Sequence, residues 1–432
     1  MKIVISTDLY YPMINGVAVF SRNLASGLQK RGHEVIVLAP SISGEFEIEK
    51  DPEGGFTIIR LSSVRMPFYP DQINEVPEAK EIFGKKIPRI AYRNGLHVSF
   101  YPYYEIKREL DAFQPDLIHD QTPGPVALAV FRYAKRRNIP LVATGHAYPD
   151  NFTSQIKLPV MAKKPIDSVV RAYFASFLKK SEYATMPTEL AIADLIPQNR
   201  KDFRVPVEAL SNGIDFSRFS PSKAKPEIYA KYGIPKNKPT VLYIGRVDPE
   251  KSLSVLVLAF SQVLKKIPEA QLVIVGDGSD KQKLEKLSRE LCIDDHVIFT
   301  GRVVGDDLPQ LYKIGTVFGI SSTTETQSIV LMEAMASGLP AVAVKAGAIG
   351  ELVKNNKNGF LCDPGDSDAI AKGIAKILKN PDLRKAMSKE SLSLIKKHDI
   401  NYTLTRMEEI YQTVLLDRKN SSSTEATSSG RS

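Results

Sequence analysis

The sequence predicts an α/β protein with two Rossmann-like domains, each built on a doubly wound parallel sheet. The 432 residues are enough for two domains of ordinary size. Short apolar segments rich in Val, Ile and Leu alternate with longer helical patterns, which is typical of βαβ units around a buried parallel sheet. This alternation occurs twice along the chain, so each half has enough strands for a sheet of its own.

The predicted strands form one group in each half of the chain. The first group lies at residues 2–6, 34–39, 116–119 and 140–144. The second group lies at residues 240–245, 271–276, 296–300, 317–320 and 340–344. A Pro-rich connection separates the groups, so we expect an N-terminal domain over residues 1–205 and a C-terminal domain over residues 206–400. Residues 419–432 include eight Ser or Thr and predict a disordered tail.

Composition narrows the class of protein. Hydrophobic residues make up 43% and charged residues 25%, which excludes global disorder. The sequence has no apolar run approaching the length of a spanning helix and no secretory pattern at its start. Its two cysteines do not have the spacing of a zinc site or a disulfide framework. We therefore expect a cytoplasmic protein whose contact with a membrane is peripheral.

Basic residues are concentrated in two segments of the N-terminal half. The formal net charge is +9, a balance that favours phosphates, nucleic acid or an anionic membrane as partners. Residues 131–180 contain ten Lys or Arg and only two Asp. Residues 83–108 contain six basic residues and one Glu, interleaved with Tyr and Phe. The charge alone does not choose among the three partners.

Candidate polar groups of the N-terminal domain lie where predicted strands end. Gly16 stands just before a predicted helix, where bare backbone amides at the positive end of the helix dipole suit an anion. His119 and His146 follow two strands, at the edge where ligands of open α/β sheets bind. The alternatives are a glycine required only for packing and histidines with structural roles.

Two cations follow the first strand of the C-terminal domain. Arg246 and Lys251 stand at its carboxyl end and together could clamp a diphosphate. The alternative is a surface pairing of these cations with Asp248 and Glu250.

The segment at residues 321–340 carries two carboxylates and a predicted helix start. Glu325 precedes the helix and Glu333 lies within it. If a helix begins near Gln327, the amides of Ser328, Ile329 and Val330 point outward and form an anion-binding site, here called the anion cradle. The alternative is an acidic first turn favoured by the helix dipole, with Glu333 an ordinary exposed side chain.

Together these motifs resemble family 4 of the retaining glycosyltransferases. The resemblance covers about residues 1–415 and rests on Asn15-Gly16-Val17, Arg31-Gly32-His33-Glu34-Val35, His146, Ser211-Asn212-Gly213-Ile214-Asp215 with Phe219, Gly245-Arg246 with Lys251, Val275-Gly276-Asp277-Gly278, and Glu325 through Glu333-Ala334-Met335-Ala336-Ser337-Gly338-Leu339-Pro340. It implies the GT-B fold, with two Rossmann-like domains facing a cleft and a last helix, residues 401–416, packing back on the first domain.

The resemblance also implies roles for these residues. Gly16 would approach the donor diphosphate, Arg246 and Lys251 would neutralise it, and His146 would sit beside the reacting sugar. Glu325 would bind sugar hydroxyls and Glu333 the nucleotide ribose. The remaining donor contacts would be the amides of Ser328, Ile329 and Val330 at the phosphates, and Arg302 and Val303 at the nucleobase.

The chemistry that the resemblance implies needs neither a metal nor a cofactor. Departure of a nucleoside diphosphate builds negative charge on phosphate, and fixed cations and amides lower that barrier. Retention in the family is explained by front-face attack, in which the leaving phosphate takes the acceptor proton. The expected catalytic set is therefore His146, Arg246, Lys251 and Glu325, with no bound metal.

The sequence departs from the commonest family pattern at one place. Many members have Phe-Gly where this chain has Gln327-Ser328, and the Glu-Thr-Gln form looks like the bacterial 1,2-diacylglycerol 3-alpha-glucosyltransferases. We therefore expect transfer of a hexose, most simply glucose from UDP-glucose rather than mannose from GDP-mannose, to a lipid such as diacylglycerol. The basic, aromatic segments would then contact the anionic cytoplasmic face of a membrane.

Four alternatives remain open at this point. The same chemistry could use GDP-mannose and a phosphatidylinositol-type lipid, or a soluble sugar acceptor. A nucleotide-sugar epimerase or a phosphorylase would share the fold. A nucleic-acid binder is suggested only by the charge, and the sequence has no nucleic-acid recognition motif, so we expect no nucleic-acid partner.

Overall fold

The computed structural model describes residues 1–13, 15–66, 96–146, 160–196 and 203–429. The chain divides into two compact units. Unit 1 comprises Met1–Ser211 together with Tyr402–Ser432, and unit 2 comprises Asn212–Asn401. The division lies a few residues beyond the boundary expected at 205/206, and the C-terminal segment joins the first unit.

Unit 1 is built on an eight-stranded sheet in the order β10-β9-β8-β7-β1-β2-β4-β3. Its strands are β1 Lys2–Ser6, β2 Glu34–Pro40, β3 Glu47–Lys50, β4 Thr57–Leu61, β7 Leu117–Asp120, β8 Leu141–Thr144, β9 Tyr183–Met186 and β10 Val207–Ala209. All pairings are parallel except that of β3 with β4. A separate antiparallel pair joins β5 Val64–Arg65 to β6 His97–Val98.

Six described helices surround this sheet or extend from it. They are α1 Gly16–Lys30, α2 Tyr103–Phe113, α3 Pro125–Arg137, α4 Val160–Leu178, α5 Glu189–Leu195 and the C-terminal α14 Ile400–Ser429. The central strand β1 has Ile3, Val4 and Ile5 fully buried, as expected for a strand covered on both faces. Its parallel neighbours are β2 and β7, so β1, β7 and β8 end at the same edge of the sheet.

Unit 2 has a six-stranded parallel sheet in the order β13-β12-β11-β14-β15-β16. Its strands are β11 Thr240–Ile244, β12 Gln271–Val275, β13 Val297–Gly301, β14 Val317–Ile320, β15 Ala341–Val344 and β16 Gly359–Cys362. Its helices are α6 Pro226–Lys231, α7 Leu253–Leu264, α8 Lys281–Glu290, α9 Asp307–Tyr312, α10 Ile329–Ala336, α11 Ile349–Leu352, α12 Ser367–Lys379 and α13 Pro381–Ile395. The order reverses between β11 and β14, the switch point where open α/β sheets bind ligands.

The predicted α/β class with two parallel sheets is confirmed, and every predicted strand is present within one residue at each end. The strands that prediction missed lie mostly away from the sheet centres. β3 and β16 are edge strands with incomplete burial and a weak apolar pattern. β4 and β9, which lie next to the edges, are mostly buried and were also missed.

The C-terminal helix α14 runs into the segment at residues 419–432 that was expected to form a disordered tail, and that expectation stays a prediction. α14 continues to Ser429. Its first turns are anchored in unit 1, where Leu404 packs against Gly27 so closely that a Cβ on Gly27 would lie 2.5 Å from it. Extending an anchored helix costs less than starting one, which favours continuation of α14 into the Ser- and Thr-rich segment.

Candidate active site

The carboxyl ends of β11, β12 and β13 in unit 2 form a close-packed backbone floor. Each strand is followed by or ends in glycine, at Gly245, Gly276 and Gly301. The Gly276 N–H donates to the Gly301 carbonyl at 2.9 Å, and a Cβ on Gly276 would lie only 1.8 Å from the Gly245 carbonyl oxygen. With φ at +147°, Gly276 is a position that no residue with a side chain fits.

The two predicted cations of this edge have different partners. The Arg246 guanidinium forms ion pairs with Asp248 and Glu250, as the surface alternative anticipated. Lys251 does not follow that alternative. Its Nζ lies 2.8 Å from Oε1 of Glu325, and both side chains are largely buried. The structure therefore brings together two of the four predicted catalytic residues.

Backbone contacts hold the Lys251–Glu325 ion pair from both sides. The Ser321 hydroxyl donates to the Lys251 carbonyl at 3.0 Å. The Ala348 N–H donates to the Glu325 carbonyl at 2.9 Å. Gly347, with φ at +49°, makes this approach possible, because a Cβ there would lie 2.5 Å from the Glu325 carbonyl oxygen. Loops after β14 and β15 thus fix the cation and the carboxylate in place.

Helix α10 begins where the anion cradle was expected. Ser328 is its N-cap, and Ile329 and Val330 are its first two residues. The Ser328 side chain makes no capping hydrogen bond, and its hydroxyl is buried without a hydrogen-bond partner. The backbone N–H groups of a helix's first turn lack partners within the helix, so this end is suited to an anion.

Gln327 accounts for the departure from the common Phe-Gly pattern. Its Oε1 accepts a hydrogen bond from the backbone N–H of Asn212 at 2.8 Å, and both residues are buried. The side chain thereby ties the Ser-Asn-Gly-Ile-Asp motif to the start of α10. No phenylalanine makes this polar contact.

Glu333 is buried, so the alternative of an ordinary exposed carboxylate is wrong. Its side chain accepts a hydrogen bond from the Tyr312 hydroxyl at 2.6 Å. Burial raises the pKa of Glu333 to about 7, although the Tyr312 hydrogen bond and the positive charge of Arg218 oppose that rise. Sequence reasoning missed Tyr312, which no motif marks, whereas Arg218 lies three residues after the Ser-Asn-Gly-Ile-Asp motif.

Arg302 and Val303 follow β13 in the loop at its carboxyl end. Arg302 is exposed, and Val303 is buried at 9% exposure. Their expected role at the nucleobase stays a prediction.

In unit 1, Gly16 is the first residue of α1. Asn15 is the N-cap, and its Oδ1 accepts a hydrogen bond from the Ala18 N–H at 2.9 Å. The Asn15 side chain thus satisfies one amide of the first turn. Gly16 has no side chain, so nothing at its own position covers the remaining amides. This placement matches the predicted helix start, and the diphosphate contact stays a prediction.

The two histidines at the edge of the unit 1 sheet differ in burial. His146 is partly buried, with Nε2 2.8 Å from Oε1 of Gln121 and its ring against Phe20. Burial lowers the pKa of His146 to about 3. His119 is fully buried and hydrogen-bonded through both ring nitrogens, to Tyr411 and Thr144. The structural alternative is therefore the right one for His119.

Two carboxyl groups at the same edge were not predicted as site residues. Asp8 follows β1, and its carboxyl accepts hydrogen bonds from the Val126 N–H and the Thr122 hydroxyl, both at 3.1 Å. Burial raises the pKa of Asp8 to about 6. Asp120 ends β7. Its burial, and to a smaller extent the negative charge of the nearby Asp8, raise the pKa of Asp120 well above the usual range. A usable sequence signal existed, since the polar run His119–Thr122 follows an apolar strand.

Among the described residues, no group of three or more His, Cys, Asp or Glu side chains is placed to hold a metal ion. The expectation of metal-independent chemistry stays a prediction.

Comparisons with known proteins cover nearly the whole chain. The family model "Glycosyltransferase Family 4" matches residues 14–218, and "Glycosyl transferases group 1" matches residues 224–393. An alpha-monoglucosyldiacylglycerol synthase of Streptococcus pneumoniae is 28% identical over 91% of this chain and 82% of that protein. The enzyme of the same name from Acholeplasma laidlawii is 28% identical over 90% of this chain and 92% of that protein.

Solved structures show the same fold. Sucrose-phosphate synthase from Thermosynechococcus elongatus superposes with a TM-score of 0.75 at 20% identity, covering 96% of this chain and all of that one. The two family models together span residues 14–393 with a short gap, and the two relatives and the solved structure each cover 90% or more of this chain. The chain therefore belongs to family 4 of the glycosyltransferases and has the GT-B fold.

Proposed function

We propose that this glycosyltransferase moves glucose from UDP-glucose to diacylglycerol or a related lipid, with retention of anomeric configuration, at the cytoplasmic face of a membrane. The observation that carries the proposal is the Lys251–Glu325 ion pair, held 2.8 Å apart and largely buried in the unit that carries the helix start of α10. The lipid and the sugar are suggested by the two relatives named alpha-monoglucosyldiacylglycerol synthase.

The ion pair suits the charge that develops during transfer. Departure of a nucleoside diphosphate leaves negative charge on the outer phosphate, where a fixed Lys251 ammonium and the amides of Ser328, Ile329 and Val330 stabilise it. The guanidinium of Arg246, held by Asp248 and Glu250, adds a second positive group on the same edge of the sheet. Because these groups are already in place, little reorganisation is needed at the moment of reaction.

The proposed transfer is balanced without a protein nucleophile. The bond between the anomeric carbon and the phosphate oxygen breaks, and a bond from that carbon to the acceptor oxygen forms on the same face. The acceptor proton passes to the leaving phosphate. In this scheme Glu325 pairs with Lys251 through Oε1 and binds hydroxyls of the transferred sugar through its other carboxylate oxygen.

Exposed aromatic and basic side chains of unit 1 support a membrane contact. Tyr101 is 94% exposed and Tyr104 82% exposed at the start of α2, and Phe100 beside them is 53% exposed. Lys107 and Arg108 follow on the same helix with exposed side chains. Aromatic rings at an interface with cations toward anionic headgroups are the usual pattern of a peripheral membrane surface. Within the two basic segments, residues 83–95 and 147–159 lie outside the described residues.

The described ranges contain no candidate membrane-crossing helix. None of the helices there combines the length and apolar character needed to cross a bilayer.

A donor-by-acceptor panel tests the proposal. Radiolabelled UDP-glucose, UDP-galactose and GDP-mannose are each supplied with diacylglycerol vesicles, phosphatidylinositol vesicles or soluble sugars, and the product's anomeric configuration is read by NMR. We expect an alpha-glucosyl lipid from UDP-glucose and diacylglycerol. Mannosyl transfer to phosphatidylinositol, or transfer only to a soluble sugar, would overturn the substrate assignment. Failure to sediment with anionic vesicles at low salt would overturn the membrane contact.

A further inference from the structure

The side chain of Gln121 is buried and only half satisfied. Gln121 follows β7 and is 1% exposed. Its Oε1 lies 2.8 Å from Nε2 of His146, whereas its amide Nε2 is buried without any hydrogen-bond partner. A buried amide N–H without a partner is destabilising, so most such groups in proteins are paired with protein, water or ligand. The unpaired donor therefore indicates a place where an oxygen atom binds.

The contact with His146 also sets the protonation of that ring. Burial keeps His146 neutral, since its pKa lies at about 3. A neutral imidazole has one N–H and one lone pair. Because a carboxamide oxygen only accepts, His146 donates from Nε2, which leaves its Nδ1 as a hydrogen-bond acceptor. Gln121 and His146 together then present one donor and one acceptor, the complement of a hydroxyl group.

The surroundings favour an uncharged polar ligand. Asp120, next to Gln121, accepts the Gln121 backbone N–H at 2.8 Å and so fixes the loop that carries the amide. Asp8 is occupied by the Val126 N–H and the Thr122 hydroxyl. His119, behind them, is fully buried and bonded at both nitrogens. These described residues around Gln121 carry carboxyl groups or neutral imidazole rings. The immediate surroundings of Gln121 therefore do not attract a phosphate.

We propose that Gln121 binds a hydroxyl oxygen of the acceptor through its amide N–H and positions His146 through its amide oxygen. This inference rests on the proposed function for the identity of the ligand as an acceptor. The Gln121–His146 pair itself stands on the geometry of unit 1. The donor site in unit 2 has no part in it.

The first experiment reads the histidine and needs no activity. The chain has six histidines, so nitrogen-15 NMR of the labelled protein resolves their tautomers, and His146 is assigned by the signal lost in His146→Gln. We expect the Nε2–H tautomer at neutral pH in the unmodified chain. In Gln121→Met, which keeps volume but removes the amide, the population should shift toward the Nδ1–H tautomer. An Nδ1–H tautomer in the unmodified chain would overturn the proposal.

The second experiment separates acceptor from donor. In Gln121→Met the KM for the acceptor should rise about 3- to 10-fold, the usual effect of one lost hydrogen bond. The KM for UDP-glucose should stay within twofold, because the donor contacts expected in unit 2 are unchanged. The matched control is Gln271→Met in unit 2, since Gln271 is equally buried at 1% exposure and its amide N–H groups already bond Pro235 and Thr240.

The outcomes distinguish this inference from the proposed function. An acceptor KM that stays within twofold, or a donor KM that rises equally, sinks the role of Gln121. If the unmodified chain glycosylates none of the acceptors, the proposed function fails, and the NMR result still decides whether Gln121 orients His146.

Discussion

The carboxyl edges of the two sheets differ in their polar groups, which are charged in unit 2 and uncharged in unit 1. In unit 2 the edge carries charged pairs, Lys251 with Glu325 and Arg246 with Asp248 and Glu250. In unit 1 the edge carries His146 with a pKa lowered to about 3 by burial, and a carboxyl at Asp120 with a raised pKa. One sheet type therefore supports a site of fixed charges in one unit and a site of neutral polar groups in the other.

The contrast follows from what each edge buries. Charges persist in unit 2 because each has an opposite charge within hydrogen-bond distance and partial access to water. In unit 1 no described cation pairs with Asp120, so burial drives that group toward its uncharged form. A charged edge suits a diphosphate, and a neutral edge suits hydroxyl groups. The predictions below test this contrast, from the largest expected effect to the smallest.

The largest effect is expected at the Lys251–Glu325 pair. Lys251→Ala removes a fixed cation from the expected leaving-group site, so kcat/KM for transfer should fall about 10²- to 10³-fold. The control is Lys283→Ala on α8, whose side chain is 68% exposed. Transfer rates are measured with labelled donor, and folding is checked by circular dichroism. A folded Lys251→Ala enzyme with near-normal turnover would show that the charge of unit 2 does not serve catalysis.

The second prediction concerns Glu333 and pH. A carboxyl whose pKa is raised in the folded state binds a proton there that the unfolded chain has already lost. Its presence therefore destabilises the protein as pH rises from 4.5 to about 7, by at most about 3 kcal/mol. Glu333→Gln keeps an acceptor for the Tyr312 hydroxyl and removes the proton, so its free energy of unfolding should exceed that of the unmodified chain by an amount that grows over this range.

Denaturant unfolding from pH 4.5 to 8 measures that difference. The matched control is Glu290→Gln on α8, because Glu290 is 57% exposed. Parallel stability curves for Glu333→Gln and the unmodified chain would mean that Glu333 is not held in its uncharged form by burial.

The sequence predicted more of the charged edge of unit 2 than of the neutral edge of unit 1. The strands β1 and β11, the cations and the helix start after Glu325 are local patterns, so periodicity and motif order reach them. Tyr312 was missed and Gln121 received no role, because they lie 21 and 25 positions along the chain from the side chains they bind. Such pairs are created by packing, which spacing along the sequence does not encode.

A third prediction tests whether the neutral edge of unit 1 depends on α14. Tyr411 is fully buried, and its hydroxyl lies 2.7 Å from Nδ1 of His119. Tyr411→Phe leaves that ring nitrogen unpaired in a buried place, which should lower the free energy of unfolding by about 1–2 kcal/mol. Tyr402→Phe, on the same helix and 60% exposed, is the control. Equal stability of the two variants would contradict a structural role for His119.

The smallest expected effect compares two serines at opposite ends of α10. Ser328 at the N-cap and Ser337 at the C-cap both have buried hydroxyls without a hydrogen-bond partner. A hydroxyl at the N-terminal end can donate to the phosphate that the amides of the first turn attract, whereas one at the C-terminal end cannot. Ser328→Ala should therefore weaken UDP binding about 3- to 10-fold by calorimetry. Ser337→Ala should leave it unchanged. An equal loss in both variants would mean that the hydroxyls act through the packing of α10, and the polarity of the helix would then have no part in donor binding.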